Sequence, residues 1–210
     1  MELIAIDGLA GTGKSTLAKA LAERLGLSHL DTGASFRMMA WVALTSNARL
    51  DSEAGVLKAT ENISMSYEAG KCLVNGTDVT KKIRQEPVSA AASKIAVHPL
   101  VRQRLLLWQR QWVADHGQCV VEGRDTASVV FPDARVKVYL EADPHVRASR
   151  RTEATTADLM ERDARDMSRS NAPIRKVADA VVIDTSKMAI SEVEDVVVGL
   201  WQSAIRNRKE

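Results

Sequence analysis

Gly8-Leu9-Ala10-Gly11-Thr12-Gly13-Lys14-Ser15 decides the reading of the whole chain, because it is a complete G-x-x-x-x-G-K-S. Glycines at that spacing let the backbone wrap around a phosphate with several N–H groups pointing inward, reinforced by the positive end of a following helix. Lys14 brings a cation to the β- and γ-phosphates, and the Ser15 hydroxyl can ligate Mg²⁺. The flanks supply the context such a loop needs. Leu3-Ile4-Ala5-Ile6 is a short apolar strand ending at Asp7, and Leu17, Leu21 and Leu25 recur every four residues as a helical stripe that Gly26 ends.

Working outward, a second strand ends near Leu30 and leads into a helix containing Phe36, Met39, Ala40 and Ala43. Cys119-Val120-Val121, Val136 to Leu140 and Val181-Val182-Ile183 read as further buried strands, and Ile190 to Arg206 as a closing helix with Val193, Val197, Leu200 and Trp201 on one face. Strands alternating with helices predict an α/β fold: a five-stranded parallel sheet of the P-loop NTPase type, flanked by helices with right-handed crossovers. One segment departs from that alternation. From Ile63 to Val79 the period is two, with turns at Gly70 and at Asn75-Gly76, which predicts a small antiparallel insert. The arginine-rich stretch from Arg147 to Lys176 reads as a solvated, mobile helical excursion, a lid. One domain is expected over 1–210, with a core of about 1–60, 99–146 and 177–210, an insert at about 61–98 and a lid at about 147–176.

Composition bounds the function. The chain has 210 residues, 29 basic against 27 acidic side chains and a formal net charge of +2. That is enough chain for one substantial core, and the balance disfavours a protein that coats nucleic acid or an anionic membrane. No apolar run is long enough to span a bilayer, and the N-terminus lacks the pattern of a secretion signal. Cys72 and Cys119 lack metal-ligand spacing; a disulfide is open on count alone, but two reduced thiols in the cytoplasm are the expectation.

A phosphate loop names the donor, not the reaction. The Asn-Lys-x-Asp of guanine-reading switches is absent, and the length leaves little room for the coupling segments of transport ATPases. A small-molecule kinase remains. Transfer between two anions needs charge neutralisation and exclusion of water more than acid–base chemistry, and a phosphate acceptor is already largely ionised near pH 7. Arginines at 37, 102, 124, 147, 150, 151, 162 and 169 suit that task.

These residues carry a resemblance that runs from end to end. Asp7-Gly8 with the phosphate loop, Asp31-Thr32-Gly33-Ala34-Ser35-Phe36-Arg37, the Asn75 to Thr80 turn with Ile83-Arg84, and Ala92-Ser93-Lys94 with Pro99 to Arg102 come in order. Gly123-Arg124-Asp125, Val129 to Ala134, Arg162 to Asp166 with Arg169 and Ala172-Pro173, and Ile183 to Ser186 follow. The chain thereby resembles the bacterial-type cytidylate kinases. The resemblance implies transfer of the γ-phosphoryl group of Mg·ATP to CMP or dCMP by a monomer, with no nucleic-acid or membrane partner. It implies that ATP is held by Gly8, Gly11, Thr12, Gly13, Lys14, Ser15 and Thr16 with Arg147 and Arg151, and Mg²⁺ by Ser15. It implies that CMP is held by Thr32, Arg37, Ser93, Arg102, Arg124, Asp125, Arg162 and Asp166, and that Lys14, Arg124, Arg162 and Arg169 act in catalysis. Ser93 and Asp125 meet the cytosine amino group in this reading, and Arg102 the acceptor edge of the base.

The chain departs from the family pattern at Leu9 and Ala10, at Glu122 where Asp is usual, at Ala127-Ser128, and in the few residues between Arg151 and Arg162. Two other readings stay open on sequence: a kinase for another small acceptor, and a nucleotide-binding regulatory module without turnover. Helix capping is the competing role for Thr32 and Ser93, and a simple ion pair the competing role for Arg124 beside Asp125.

Overall fold

Strand β1, Leu3–Gly8, is buried along its whole length and carries the chain straight into the phosphate loop. It does so in a computed structural model that describes residues 1–150, 163–164 and 174–206. Around β1 the main sheet is completed by β2 (Ser28–Asp31), β6 (Cys119–Gly123), β7 (Val136–Glu141) and β8 (Val181–Asp184), in the order β2-β6-β1-β7-β8. The pairings of β1 with β6 and β7, and of β7 with β8, are parallel. Register places Asp7 opposite Gly123 on one side and Tyr139 on the other, so three strand ends meet at the mouth of the loop. That is where an open parallel sheet binds ligands, outside the carboxyl ends of its strands.

The chain divides into two compact units. The first comprises Met1–His29 and Asp115–Glu210, the second Leu30–Ala114. In the first, helix α1 (Lys14–Leu25) has Gly13 at its N-cap and a left-handed Gly26 at its C-cap, whose N–H reaches the carbonyls of Ala22 and Glu23. Its Leu17 and Leu21 pack with Ile4, Ile6, Val120 and Val138 of the sheet and with Val193, Val197 and Trp201 of the closing helix, Ile190–Arg206. Each fully buried Leu or Val in such a cluster contributes about 1.5–3 kcal/mol. The Leu stripe and the closing helix thus match expectation. Strand β8 does not: Val181 and Val182 are 39% and 45% exposed, and only Ile183 is buried. An apolar run cannot reveal that its strand closes the edge of the sheet.

The second unit holds α2 (Thr32–Thr45), α3 (Glu53–Ala59), the three-stranded antiparallel sheet β3 (Met65–Glu68), β4 (Lys71–Val74) and β5 (Thr77–Asp78), then α4 (Glu86–Ile95) and most of α5 (Pro99–His116). The hairpin at Asn75-Gly76 forms as its sequence requires, with both residues at positive φ, 49° and 76°. The sheet is held from α5, where Trp112 donates to the Tyr67 carbonyl at 2.8 Å and its ring meets that of Tyr67 edge-on.

Among the described residues no helix is long and apolar enough to cross a membrane. Cys72 and Cys119 are both free thiols, and burial pushes the Cys119 thiol up to about 11.

Candidate phosphate-transfer site

In the first unit the phosphate loop is shaped by close backbone approach. A Cβ on Gly8 would lie 2.4 Å from the Leu140 carbonyl, and one on Gly11 would lie 2.5 Å from that of Arg147, so neither position admits a larger residue. The loop is pinned from within: Thr12 Oγ1 donates to the Leu9 carbonyl at 2.9 Å and Lys14 Nζ to the same carbonyl at 2.7 Å. Thr185, just past β8, donates to the Thr12 carbonyl at 3.0 Å. Thr16 stands exposed on the first turn of α1.

Ser15 Oγ donates to Glu122 Oε2 at 2.9 Å, and His29 Nε2 lies 3.6 Å from Glu122 Oε1. Glu122 is the penultimate residue of β6 and only 3% exposed, so it presents a carboxylate to the serine of the loop from the neighbouring strand. A hydroxyl and a carboxylate are the oxygen donors that a hard divalent cation takes, and Ser15 with Glu122 therefore fits Mg²⁺. The longer Glu side chain reaches the loop serine itself.

Beyond β6 the chain turns through Arg124 and Asp125 into a single π-helical turn, Thr126–Val130. Arg124 Nη1 donates to the Gly8 carbonyl at 3.1 Å and lies 3.9 Å from Asp163 Oδ1. Asp125 is buried, 6% exposed. Under the turn sits Asp7, whose two carboxylate oxygens accept the backbone N–H groups of Thr126 and Ala127 at 2.8 and 2.7 Å. Burial pushes the Asp7 carboxyl up to about 6; the two N–H groups oppose that rise and the nearby Asp125 charge adds to it.

Arg147 lies on the short helix α6, Pro144–Ser149, and is buried, where sequence reading expected a solvated excursion. It donates through Nη1 to the Ala10 carbonyl at 3.2 Å and to Asp163 Oδ2, a buried carboxylate that also faces the Ala10 N–H. An arginine that is buried must be paired, and Asp163 is the partner that the linear pattern gave no means of finding. Arg151, Arg162, Asp166 and Arg169 lie outside the described residues.

In the second unit, Asp31 caps α2 by accepting the Ala34 N–H at 3.1 Å and receives Arg37 Nη2 at 2.5 Å. Asp31, not Thr32, is therefore the cap, and Ser93 lies inside α4 and buried, away from any cap position. Thr32 and Arg37 share the first turns of α2, which packs on α4. Arg102 on α5 donates to the Ala96 carbonyl at 3.2 Å, and its guanidinium carbon stands 5.3 Å from the centroid of the Phe36 ring. Gln109, 2% exposed, donates to Ser35 Oγ at 2.8 Å and braces the start of α2. It was missed in sequence, yet it left a signal: a polar residue in line with the buried Val101, Leu105 and Trp112.

A model of the cytidylate kinase family matches residues 4–203. A cytidylate kinase from Solibacter usitatus (strain Ellin6076) is 38% identical over 226 aligned positions, which cover 99% of this chain and 95% of that one. Another from Aeromonas salmonicida (strain A449) is 40% identical over 207, covering 91% and 90%. The crystal structure of a gluconokinase from Sinorhizobium meliloti 1021 shares the fold, with a TM-score of 0.53 at 14% identity over 98% of this chain and 94% of that one.

Proposed function

The chain belongs to the cytidylate kinase family, and from that premise we propose that it transfers the γ-phosphoryl group of Mg·ATP to CMP or dCMP, yielding ADP and CDP or dCDP. The observation that carries the reading is the junction of the phosphate loop with the Arg124–Asp125 turn, tied together through the Gly8 carbonyl. It gives one unit both a cradle for the donor phosphates and, in the half-buried Arg124 and the buried Asp125, a cation and a carboxylate suited to the acceptor.

Gly8, Gly11, Thr12, Gly13, Lys14, Ser15 and Thr16 bind the ATP phosphates, with Arg147 flanking the nucleotide. Ser15 and Glu122 would hold Mg²⁺, which would supply neutralisation of phosphate charge there. Lys14 stabilises the transferring group and Arg124 grips the acceptor phosphate; Thr32 and Arg37 assist at that phosphate. The acceptor oxygen is ionised near pH 7, so no protein base has to remove a proton from it. Asp125 and Ser93 accept from the cytosine amino group and Arg102 donates to the acceptor edge of the base. Uracil turns a carbonyl oxygen toward Asp125 and is disfavoured, because a buried acceptor left facing another acceptor is costly. Arg162 and Asp166 complete the acceptor contacts and Arg169 the transfer site, in a lid at about 147–176, with an insert at about 61–98. The enzyme works as a cytoplasmic monomer on small nucleotides, not on nucleic acid or a membrane; its two free thiols support a reducing compartment.

The test is Mg·ATP-dependent phosphorylation of CMP, dCMP, UMP, AMP and GMP, with Lys14→Ala as control. Lys14-dependent turnover of CMP and dCMP above the rest is expected. Preference for another acceptor discards the base pocket, and ATP binding without transfer discards the reaction.

A further inference from the structure

Asp7 is a polar residue in the most buried strand of the molecule. It is 1% exposed and immediately precedes Gly8, the first residue of the phosphate loop. Both carboxylate oxygens are engaged: Oδ1 accepts the N–H of Thr126 and Oδ2 the N–H of Ala127, at 2.8 and 2.7 Å. Two consecutive amides bound by one carboxylate fix the orientation of the turn they belong to as well as its distance. They are also the first amides of the π-helical turn Thr126–Val130, where helical backbone has no internal acceptor to offer them. On the other side of Asp125, Arg124 donates to the carbonyl of Gly8 at 3.1 Å. The chain is thus fastened to Asp7-Gly8 both before and after Asp125.

We propose that Asp7 is a positioning residue for phosphoryl transfer, holding Arg124 and Asp125 in register with the phosphate loop through the Thr126 and Ala127 amides. The inference rests on the reading above, in which Arg124 and Asp125 contact the acceptor nucleotide. The acid is a costly way to join two segments. Burial raises its pKa, the Asp125 carboxylate repels it, and Tyr139 on β7, its register partner, is itself pushed up by burial with Asp7 as one contributor. Arg124 and Asp163 also act electrostatically on that tyrosine. An apolar residue there would fill the space but leave the Thr126 and Ala127 amides without this acceptor. What the carboxylate supplies and an apolar side chain does not is the bidentate grip on the turn that begins one residue after Asp125.

The experiment is steady-state kinetics of Asp7→Asn against wild type at pH 7.5, varying CMP and Mg·ATP separately, with thermal unfolding measured alongside. The carboxamide has one acceptor oxygen and turns an NH₂ toward the second amide, so the grip is halved without change of shape. The expected result is a KM for CMP raised roughly tenfold, the loss of one charge-assisted hydrogen bond, with the KM for Mg·ATP unchanged. A role confined to folding gives lower stability and fewer active molecules with both KM values unchanged, and that outcome overturns the proposal; so does an equal rise in both. If wild type itself fails to phosphorylate CMP, the functional reading falls and the proposal with it. If wild type is active and only the split is missing, the proposal alone falls. Should Asp7→Asn not fold, wild type decides by NMR. The amide proton resonances of Thr126 and Ala127 should titrate together with Asp7 and shift on saturation with CMP, and resonances that do neither overturn the proposal.

Discussion

Asp7 also makes a quantitative prediction about stability, independent of any substrate. Its carboxyl sits at about 6 in the folded chain against an ordinary value of 3.8, with burial as the largest cause. Below pH 3.8 the group is protonated whether the chain is folded or not, and it contributes nothing. As pH rises from there the unfolded chain releases its proton first while the folded chain keeps it. Stability therefore falls with rising pH through the window from 3.8 to 6 and levels off above it. This is the reverse of the usual salt-bridged aspartate. The full penalty is about 3 kcal/mol, at 1.36 kcal/mol per pKa unit, of which about 2 kcal/mol develops between pH 4.5 and 7.5. Asp7→Asn cannot titrate, so urea unfolding of wild type and variant in parallel across that range isolates the effect from every other ionisable group. Wild type should lose about 2 kcal/mol relative to the variant on going from pH 4.5 to 7.5, or roughly 4–8 °C in Tm for a chain of this size. A flat difference, or wild type gaining with pH, refutes the reasoning: the Thr126 and Ala127 amides would then outweigh burial and hold the carboxyl at or below its ordinary value.

Three further outcomes follow from the site. Lys14→Ala removes the cation proposed to meet the transferring phosphates and should lower kcat about 10²–10³-fold with an unchanged circular dichroism spectrum; near-normal turnover would remove Lys14 from the chemistry. Asp125→Ala should cost about 1.5–3 kcal/mol of CMP-over-UMP discrimination in kcat/KM, the worth of a hydrogen bond to a charged group, and an unchanged ratio would dismiss the base pocket. Gly11→Ala should lose about 1–3 kcal/mol of stability and weaken ATP binding, because φ is +77° and the new Cβ would press on the Arg147 carbonyl; calorimetric titration of ATP and a thermal melt check both.

How much of this was legible beforehand depends on the kind of atom that does each job. Features that a side-chain type or a local φ dictates could be read. The phosphate loop follows from glycine spacing, the Asn75-Gly76 hairpin from two residues that tolerate positive φ, and the closing helix from the spacing of Val193, Val197 and Trp201. At Ala69, which takes φ 47° with no composition to announce it, the local rule already gives out. The edge position of β8 could not be read, because Val181-Val182-Ile183 is equally apolar at an edge and in a centre, and only the sheet order distinguishes them.

The candidate site divides in the same way. Lys14, Ser15 and Arg124 could be proposed from sequence because their chemistry is written in the side chain. The groups that position them could not, since their partners are backbone atoms far along the chain. Asp7 meets amides 119 and 120 residues away, Arg124 a carbonyl 116 away and Arg147 one 137 away. A backbone N–H or carbonyl is the same at every residue but proline, so no sequence string can mark the one that will be used. This explains why Asp7 could be recognised as part of a motif without its task being visible. It also explains why Asp7→Asn is a sharper probe than replacement of Thr126 or Ala127: the amides of those residues survive substitution, and the carboxylate is the half of the contact that a mutation can remove.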